Sequence, residues 1–205
     1  PFVTADAVTT NKALTEFYRK ELVEEYSGVK VLLRHVHKGQ VLHMRPGKQI
    51  RTVEDFRGKT IRTPGATGTL LLEALGAVAY QSPLPEVSQL LSRGVVDGIM
   101  APFEVTPTYK VEELTGSHSF TDPRVSTAVF LLAMNRASYD RLPAELKRAI
   151  DDTSLENLAE FAGRVWEDAE KPGEDAAKAR GNEFIRMSAT ETKKQKRTSE
   201  AANKH

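Results

Sequence analysis

Apolar and polar positions along the chain change period several times, and each change marks an element. Leu14, Phe17, Tyr18, Leu22 and Tyr26 recur at helical spacing and predict a helix over residues 11–26, closed by Gly28. Val29 to Leu33 form an unbroken apolar run, the signature of a buried strand. Residues 34–50 are polar and basic, with Gly39, Pro46 and Gly47 as breakers, and predict irregular chain. Thr52 precedes a single helical turn at Val53–Phe56. Strands at 59–63, 77–81 and 95–100 then alternate with short helices through Leu70–Leu75 and Pro85–Leu91, which Gly76 and Gly94 close. This β-α-β-α-β order predicts parallel pairing with right-handed crossovers.

Residues 104–115 predict a helix. Ser126 to Met134 is the longest apolar run and predicts a central strand. Pro143 opens a long helix with its stripe on Leu146, Ile150, Phe161, Val165 and Ala169. Pro172-Gly173 should kink or break it. A strand over 182–187 follows, and Ser188-Ala189-Thr190-Glu191 is a capping box for a last helix. That helix carries almost no apolar stripe, so it should fray or lack a packing partner. There is no internal repeat.

Composition changes this picture little. Twenty-nine basic residues against 28 acidic ones leave a formal charge of +1, which calls for neither nucleic acid nor an anionic membrane. The absence of cysteine excludes disulfides, thiolate metal sites and a cysteine nucleophile. No apolar stretch approaches the roughly 20 residues of a membrane span. The start at Pro1-Phe2-Val3, without a leader, reads like the middle of a protein.

Among candidate groups, Arg62 stands out. It ends a short strand just before Thr63-Pro64-Gly65, and open α/β sheets bind ligands beyond the carboxyl ends of their strands. A guanidinium there can take a carboxylate through two parallel hydrogen bonds, with free N–H groups of the next helix nearby. A solvated arginine in a surface ion pair is the simpler reading of the spacing. Pro102-Phe103-Glu104 follows another strand and could set a ring and a carboxylate in the same crevice, or merely start a helix. His35, His37 and His43 lie close in sequence, but with no carboxylate between them solvated loop histidines are the default, as is a structural or exposed His118. Gly58-Lys59-Thr60 lacks the earlier glycine of a phosphate loop, since position 53 is Val53. No nucleophile elbow or zinc-protease helix occurs. Trp166 reads as packing, and Lys193–Arg197 as a solvated helix face.

Several segments in order resemble the TRAP-transporter solute-binding protein family: residues 52–65 (TVEDFRGKTIRTPG), residues 73–104 with their Leu-Gly-Ala, Pro-x-Pro-Glu-Val and Gly-Val-Val-Asp-Gly, and residues 133–150 (AMNRASYDRLPAELKRAI). The resemblance implies an α/β, class II periplasmic-binding-protein-like fold, with two α/β lobes, a long helix spanning both and a first lobe that is incomplete. It sets residues 1–39 and 127–165 as partial lobe I, and 40–126 and 166–205 as lobe II with the connecting helix. Ligand would close such a fold like a hinged trap.

The implied ligand-binding residues are Arg62, which grips a carboxylate, with Pro64, Ala101, Phe103, Glu104 and His43 in or near the pocket wall. Phe103 stands where many relatives have Trp. Leu42 stands where sialic-acid-type relatives have a second Arg. The family's N-terminal strands and its last helix are not in this sequence. The resemblance further implies a periplasmic receptor, a monomer without cofactor or nucleic-acid partner, that hands a small monocarboxylate or dicarboxylate to TRAP membrane subunits; the residues offer no metal site of their own, while the family leaves metal-assisted carboxylate binding open. The rival readings are an α/β enzyme using Glu104 or His43 as acid or base, and an orphan ligand sensor.

Overall fold

The computed structural model describes residues 6–202. In chain order these form α1 (Ala7–Phe17), a π-helical turn (Tyr18–Leu22), β1 (Val29–Val36), β2 (Val41–Met44), a 3-10 turn (Val53–Phe56), β3 (Thr60–Thr63), α2 (Ala66–Ala74), β4 (Val78–Gln81) and α3 (Val87–Ser92). There follow β5 (Gly98–Ala101), a 3-10 turn (Phe103–Val105), α4 (Thr106–Tyr109), α5 (Val111–Leu114), β6 (Ser117–Phe120), β7 (Val129–Asn135), α6 (Arg136–Asp140), α7 (Ala144–Asp152), α8 (Glu156–Ala179), β8 (Glu183–Arg186) and α9 (Ala189–Ala202). The chain divides into two compact units. One is Gly39–Ser126 with residues 169–202. The other is residues 6–38 with Thr127–Asp168. The helix α8 contributes to both.

The larger unit is built on a six-stranded sheet in the order β4-β3-β5-β2-β6-β8. The β-α-β-α-β run pairs in parallel, with Ile61 opposite Ala79 and Gly98. The sheet as a whole is mixed, because β2 runs antiparallel to both β5 and β6. Alternation along the strands then separates two faces. Leu42, Met44, Ile61 and Met100 point to one, where Leu71 and Leu72 of α2 and Phe56 complete a core. Ile99 and Ala101 point to the other and pack with Val87, Leu90, Leu91, Val96 and Val111. Beside them Val41, Phe103 and Ala177 form a third cluster. Gly98 is required where β5 meets β2, since a Cβ there would overlap the Met44 side chain and the His43 carbonyl.

Two strands of this sheet lie where the polar pattern predicts none. All four residues of β2 are buried, and β6 is Ser-His-Ser-Phe with its first three residues buried. The last helix also departs from expectation. It packs with α2, and the side it buries is polar: Glu191, Gln195 and Ser199. Glu191 accepts the backbone N–H of Val53, and the predicted cap is present as Ser188 Oγ accepting the Glu191 N–H.

The smaller unit carries a two-stranded antiparallel sheet of β1 and β7. The longest apolar run is therefore not a central strand. Val129, Phe130, Leu131 and Leu132 are between 39% and 51% exposed. The first helix starts earlier than its stripe suggests, because Asp6 caps it by accepting the Thr9 N–H. Asn11 then joins α1 to its neighbours, accepting the Val36 N–H and donating to the Ala159 carbonyl. The long helix does not begin at Pro143. α7 ends at Asp152, Leu155 takes a left-handed φ of 49°, and its N–H bonds the Leu32 carbonyl at 2.6 Å. Nor does Pro172 end α8, which continues helical to Ala179.

Candidate functional site

All six residues singled out from the sequence belong to the larger unit, and the sheet register sets their relation. In the parallel trio β4-β3-β5, Arg62 lies opposite Tyr80 on one side and Ile99 on the other. The chains therefore leave β3 at Pro64 and β5 at Ala101 along the same carboxyl edge, where α2 also begins. Alternation sets Arg62, Tyr80, Ile99 and Ala101 on one face of the sheet.

The Arg62 side chain is almost wholly enclosed, at 2% exposure. Its Nε and Nη2 both donate to the Ser82 carbonyl, at 3.0 and 2.6 Å. Among the described residues no carboxylate lies within ion-pair distance. Burial presses its pKa below the ordinary arginine value, and Glu86 opposes that through space. A guanidinium stays charged even so. The surface ion pair that spacing alone allows is thus not what forms. The Ser82 carbonyl fixes the plane of the group and leaves the Nη1 edge of the fork for another acceptor. Thr63, next in the strand, points to the opposite face, where Gly68 of α2 comes so close that a Cβ would overlap the Thr63 hydroxyl.

Pro64 is exposed at the end of β3, and Ala101 is buried. Glu104 is partly buried in the 3-10 turn after β5. Burial first, and the neighbouring Glu170 second, raise its carboxyl above the ordinary range. Phe103 and His43 lie deeper than Glu104. Both are fully buried, at 0% exposure, and neither ring offers a face to a ligand. The Phe103 ring stacks on Phe184 with centroids 5.4 Å apart, and stands edge-on to His43. His43 Nε2 bonds the Ala101 carbonyl at 3.0 Å, and its Nδ1 meets His118 Nδ1 at 2.8 Å. His118 Nε2 in turn meets Asn182 Nδ2 at 3.1 Å, which also donates to the Glu112 carbonyl.

The tautomers follow from these partners. A carbonyl only accepts, so His43 carries its proton on Nε2. Its Nδ1 then accepts, and His118 must donate from Nδ1. His118 Nε2 is left to accept from Asn182. One directional chain of hydrogen bonds crosses β5, β2 and β6 and uses every ring nitrogen. It requires both rings neutral. Burial, then the nearness of His118, which would repel a second imidazolium, holds His43 well below the ordinary histidine range, and burial holds His118 at about 4. Both rings support the carboxyl edge from within the sheet, and His43 has no nitrogen free for acid–base work.

Among the described residues the other two histidines, His35 and His37, lie in the smaller unit. His35 Nδ1 accepts the Trp166 indole N–H at 2.8 Å, and His35, Phe130 and Trp166 stack together. His37 meets Thr127 and the Ala128 N–H. Among the described residues no group of three metal-ligating side chains comes together. No described helix is long and apolar enough to cross a membrane.

Spacing alone points neither to the Ser82 carbonyl as the partner of Arg62 nor to the pair of Arg124 and Glu170. Glu170 is 1% exposed on α8, accepts the Glu104 N–H at 3.3 Å and pairs with Arg124. Arg124 Nη1 also donates to the Gly39 carbonyl at 3.0 Å. The partners of this group lie 46 and 66 residues apart in sequence, beyond the reach of spacing rules.

The family model for bacterial extracellular solute-binding protein, family 7, matches residues 1–205. A TRAP solute-binding protein from Rhodoferax ferrireducens, solved with copurified benzoate, is 36% identical with a TM-score of 0.91, covering 98% of this chain and 63% of that one. A marine-metagenome TRAP solute-binding protein specific for aromatic acid ligands, solved with 3-hydroxybenzoate, is 32% identical with a TM-score of 0.93, covering 100% of this chain and 64% of that one. A solute-binding protein of Verminephrobacter eiseniae is 26% identical over 83% of this chain. The chain spans 51% of the length of that relative, and just under two thirds of the two solved structures.

Proposed function

Because the chain belongs to the DctP family, bacterial extracellular solute-binding protein family 7, we propose that it acts as a periplasmic receptor for a small organic acid, which it passes to TRAP-type membrane subunits without a chemical step. The observation that carries this reading is Arg62. A buried cation is costly unless an anion or several good acceptors meet it. Among the described residues this one meets a single carbonyl on one edge and no carboxylate within ion-pair distance, which suits it to an anion that arrives from outside. The Nη1 edge can take a carboxylate through charge-assisted hydrogen bonds. Pro64, Ala101 and Glu104 line the edge around it, with His43 and Phe103 as its inner support.

The ligand class we favour is an aromatic monocarboxylate, supported by the benzoate and 3-hydroxybenzoate held by the two relatives at 36% and 32% identity. The local charge agrees. Glu86 acts on Arg62 through space and Glu104 follows the adjacent strand, so a second carboxylate near Arg62 would meet acidic neighbours. We assign residues 40–126 with 166–205 as the lobe that supplies this anchor, and 1–39 with 127–165 as the other lobe.

Thermal unfolding of the intact gene product with a panel of organic acids tests the reading. A ligand bound only by the native state adds about 4 kcal/mol at a thousandfold excess over Kd. Benzoate or 3-hydroxybenzoate should raise Tm by several degrees, and Arg62→Ala should remove the shift. A shift that survives loss of Arg62 would overturn the assignment.

A further inference from the structure

We infer that Glu170 and Gly173 of α8, with Arg124 behind Glu170, are positioning residues that hold the ligand-wall turn Pro102–Thr106 at the mouth of the site. This rests on the receptor reading above and adds the device that fixes one wall of it.

Residues 170, 173 and 177 recur at i, i+3 and i+7, so they share one face of α8. Each meets a different part of the same turn. Glu170 takes the backbone N–H of Glu104 on its carboxylate. Gly173 lies against the Phe103 carbonyl, so close that a Cβ would overlap that oxygen and the Thr106 hydroxyl, which itself donates to the same carbonyl at 2.9 Å. Ala177 packs with the Phe103 ring. The turn is thus held by its amide, its carbonyl and its side chain from a single stripe of helix.

The amide contact is charge-assisted, at 3.3 Å. A carboxylate as buried as Glu170 needs donors on its oxygens. It has the Arg124 guanidinium and the Glu104 N–H, and Arg124 is tied to the Gly39 carbonyl. The N–H groups at the start of a helical turn have no partner within the turn, so the side chain supplies one. The close approach at Gly173 also accounts for a glycine inside this helix. Glycine gives α8 nothing in propensity, but here it alone leaves room for the turn. Of the residues held this way, Glu104 is one that the receptor reading sets around the carboxylate, and Phe103 is its inner support.

The test uses the intact gene product with benzoate and 3-hydroxybenzoate as probes, comparing Glu170→Ala, Gly173→Ala and the milder Glu170→Gln with Arg62→Ala. Amide hydrogen exchange at 103–106 reads the turn directly, and calorimetric Kd reads the site. We expect faster exchange at 103–106 in Glu170→Ala and Gly173→Ala, with the amides of β5 unchanged, and acid binding weakened at least about tenfold. Glu170→Gln, which keeps an acceptor for the Glu104 N–H, should fall between these and wild type, and it carries the test if either harsher variant does not fold. Faster exchange with unchanged Kd would reduce these residues to packing and overturn the inference. So would unchanged exchange. If Arg62→Ala abolishes binding while the α8 variants bind as wild type, only the positioning inference fails. If Arg62→Ala binds as wild type, or wild type binds neither acid, the receptor reading fails with it.

Discussion

The two sheets of this chain treat polarity in opposite ways. In the six-stranded sheet the centre is polar: His43, His118, Ser117 and Ser119 are fully buried in β2 and β6. In the two-stranded sheet the surface is apolar, with Val129 to Leu132 of β7 half exposed. Burial of the two histidines in the first case is licensed by partners. The imidazoles satisfy one another, a carbonyl and an amide in a single direction. Exposure in the second follows from sheet width, since two strands cannot cover both faces of either. Hydrophobicity along the sequence therefore reports side-chain chemistry, while burial is decided by how many strands stand on each side.

Substitutions can break this contrast at several points. The largest effect is expected at Gly98, where β5 touches β2. Gly98→Val should destabilise the larger unit by about 3 kcal/mol, because the strand backbone itself must shift. Chemical denaturation would show it as a lower midpoint.

Next comes acid. Both buried histidines titrate below their ordinary range when folded, so between those values the unfolded chain binds more protons. Their contribution is complete above about pH 6.5 and is lost as pH falls toward about 4, by on the order of 3 kcal/mol for His118. Denaturation midpoints across that range should fall with pH, and His118→Phe should flatten part of the slope while lowering stability at neutral pH. Smaller still is the effect on the exposed strand. Leu131→Lys should change stability by no more than about 0.5 kcal/mol and reduce self-association, since a charge on an open edge discourages strand pairing. A like change at Leu42, its buried counterpart in β2, should cost at least about 2 kcal/mol. If both positions tolerated lysine, the contrast between the sheets would be wrong.

What could be read in the sequence follows the same division. The run from Thr60 to Ala101 was legible because Gly76 and Gly94 bound apolar segments of the right length, and its parallel pairing followed from order alone. β2 and β6 were not, because their polar residues look solvated until partners as distant as His43 and His118, 75 residues apart, are brought together. The break at Leu155 and the glycine at 173 inside α8 answer to Leu32 and Phe103, which no local rule connects to them. At the site, the position of Arg62 at a strand end was legible. Its burial without an anion was not, and neither were the internal places of His43 and Phe103.

The central claim is that Arg62 is a cation held for an external carboxylate. Calorimetric titration of the intact gene product with benzoate, for wild type and Arg62→Ala, tests it most directly. The account predicts binding in wild type and a loss of at least about a hundredfold in the variant, about what removing one partner of a buried, hydrogen-bonded charge pair costs. Equal affinity in both proteins would contradict it.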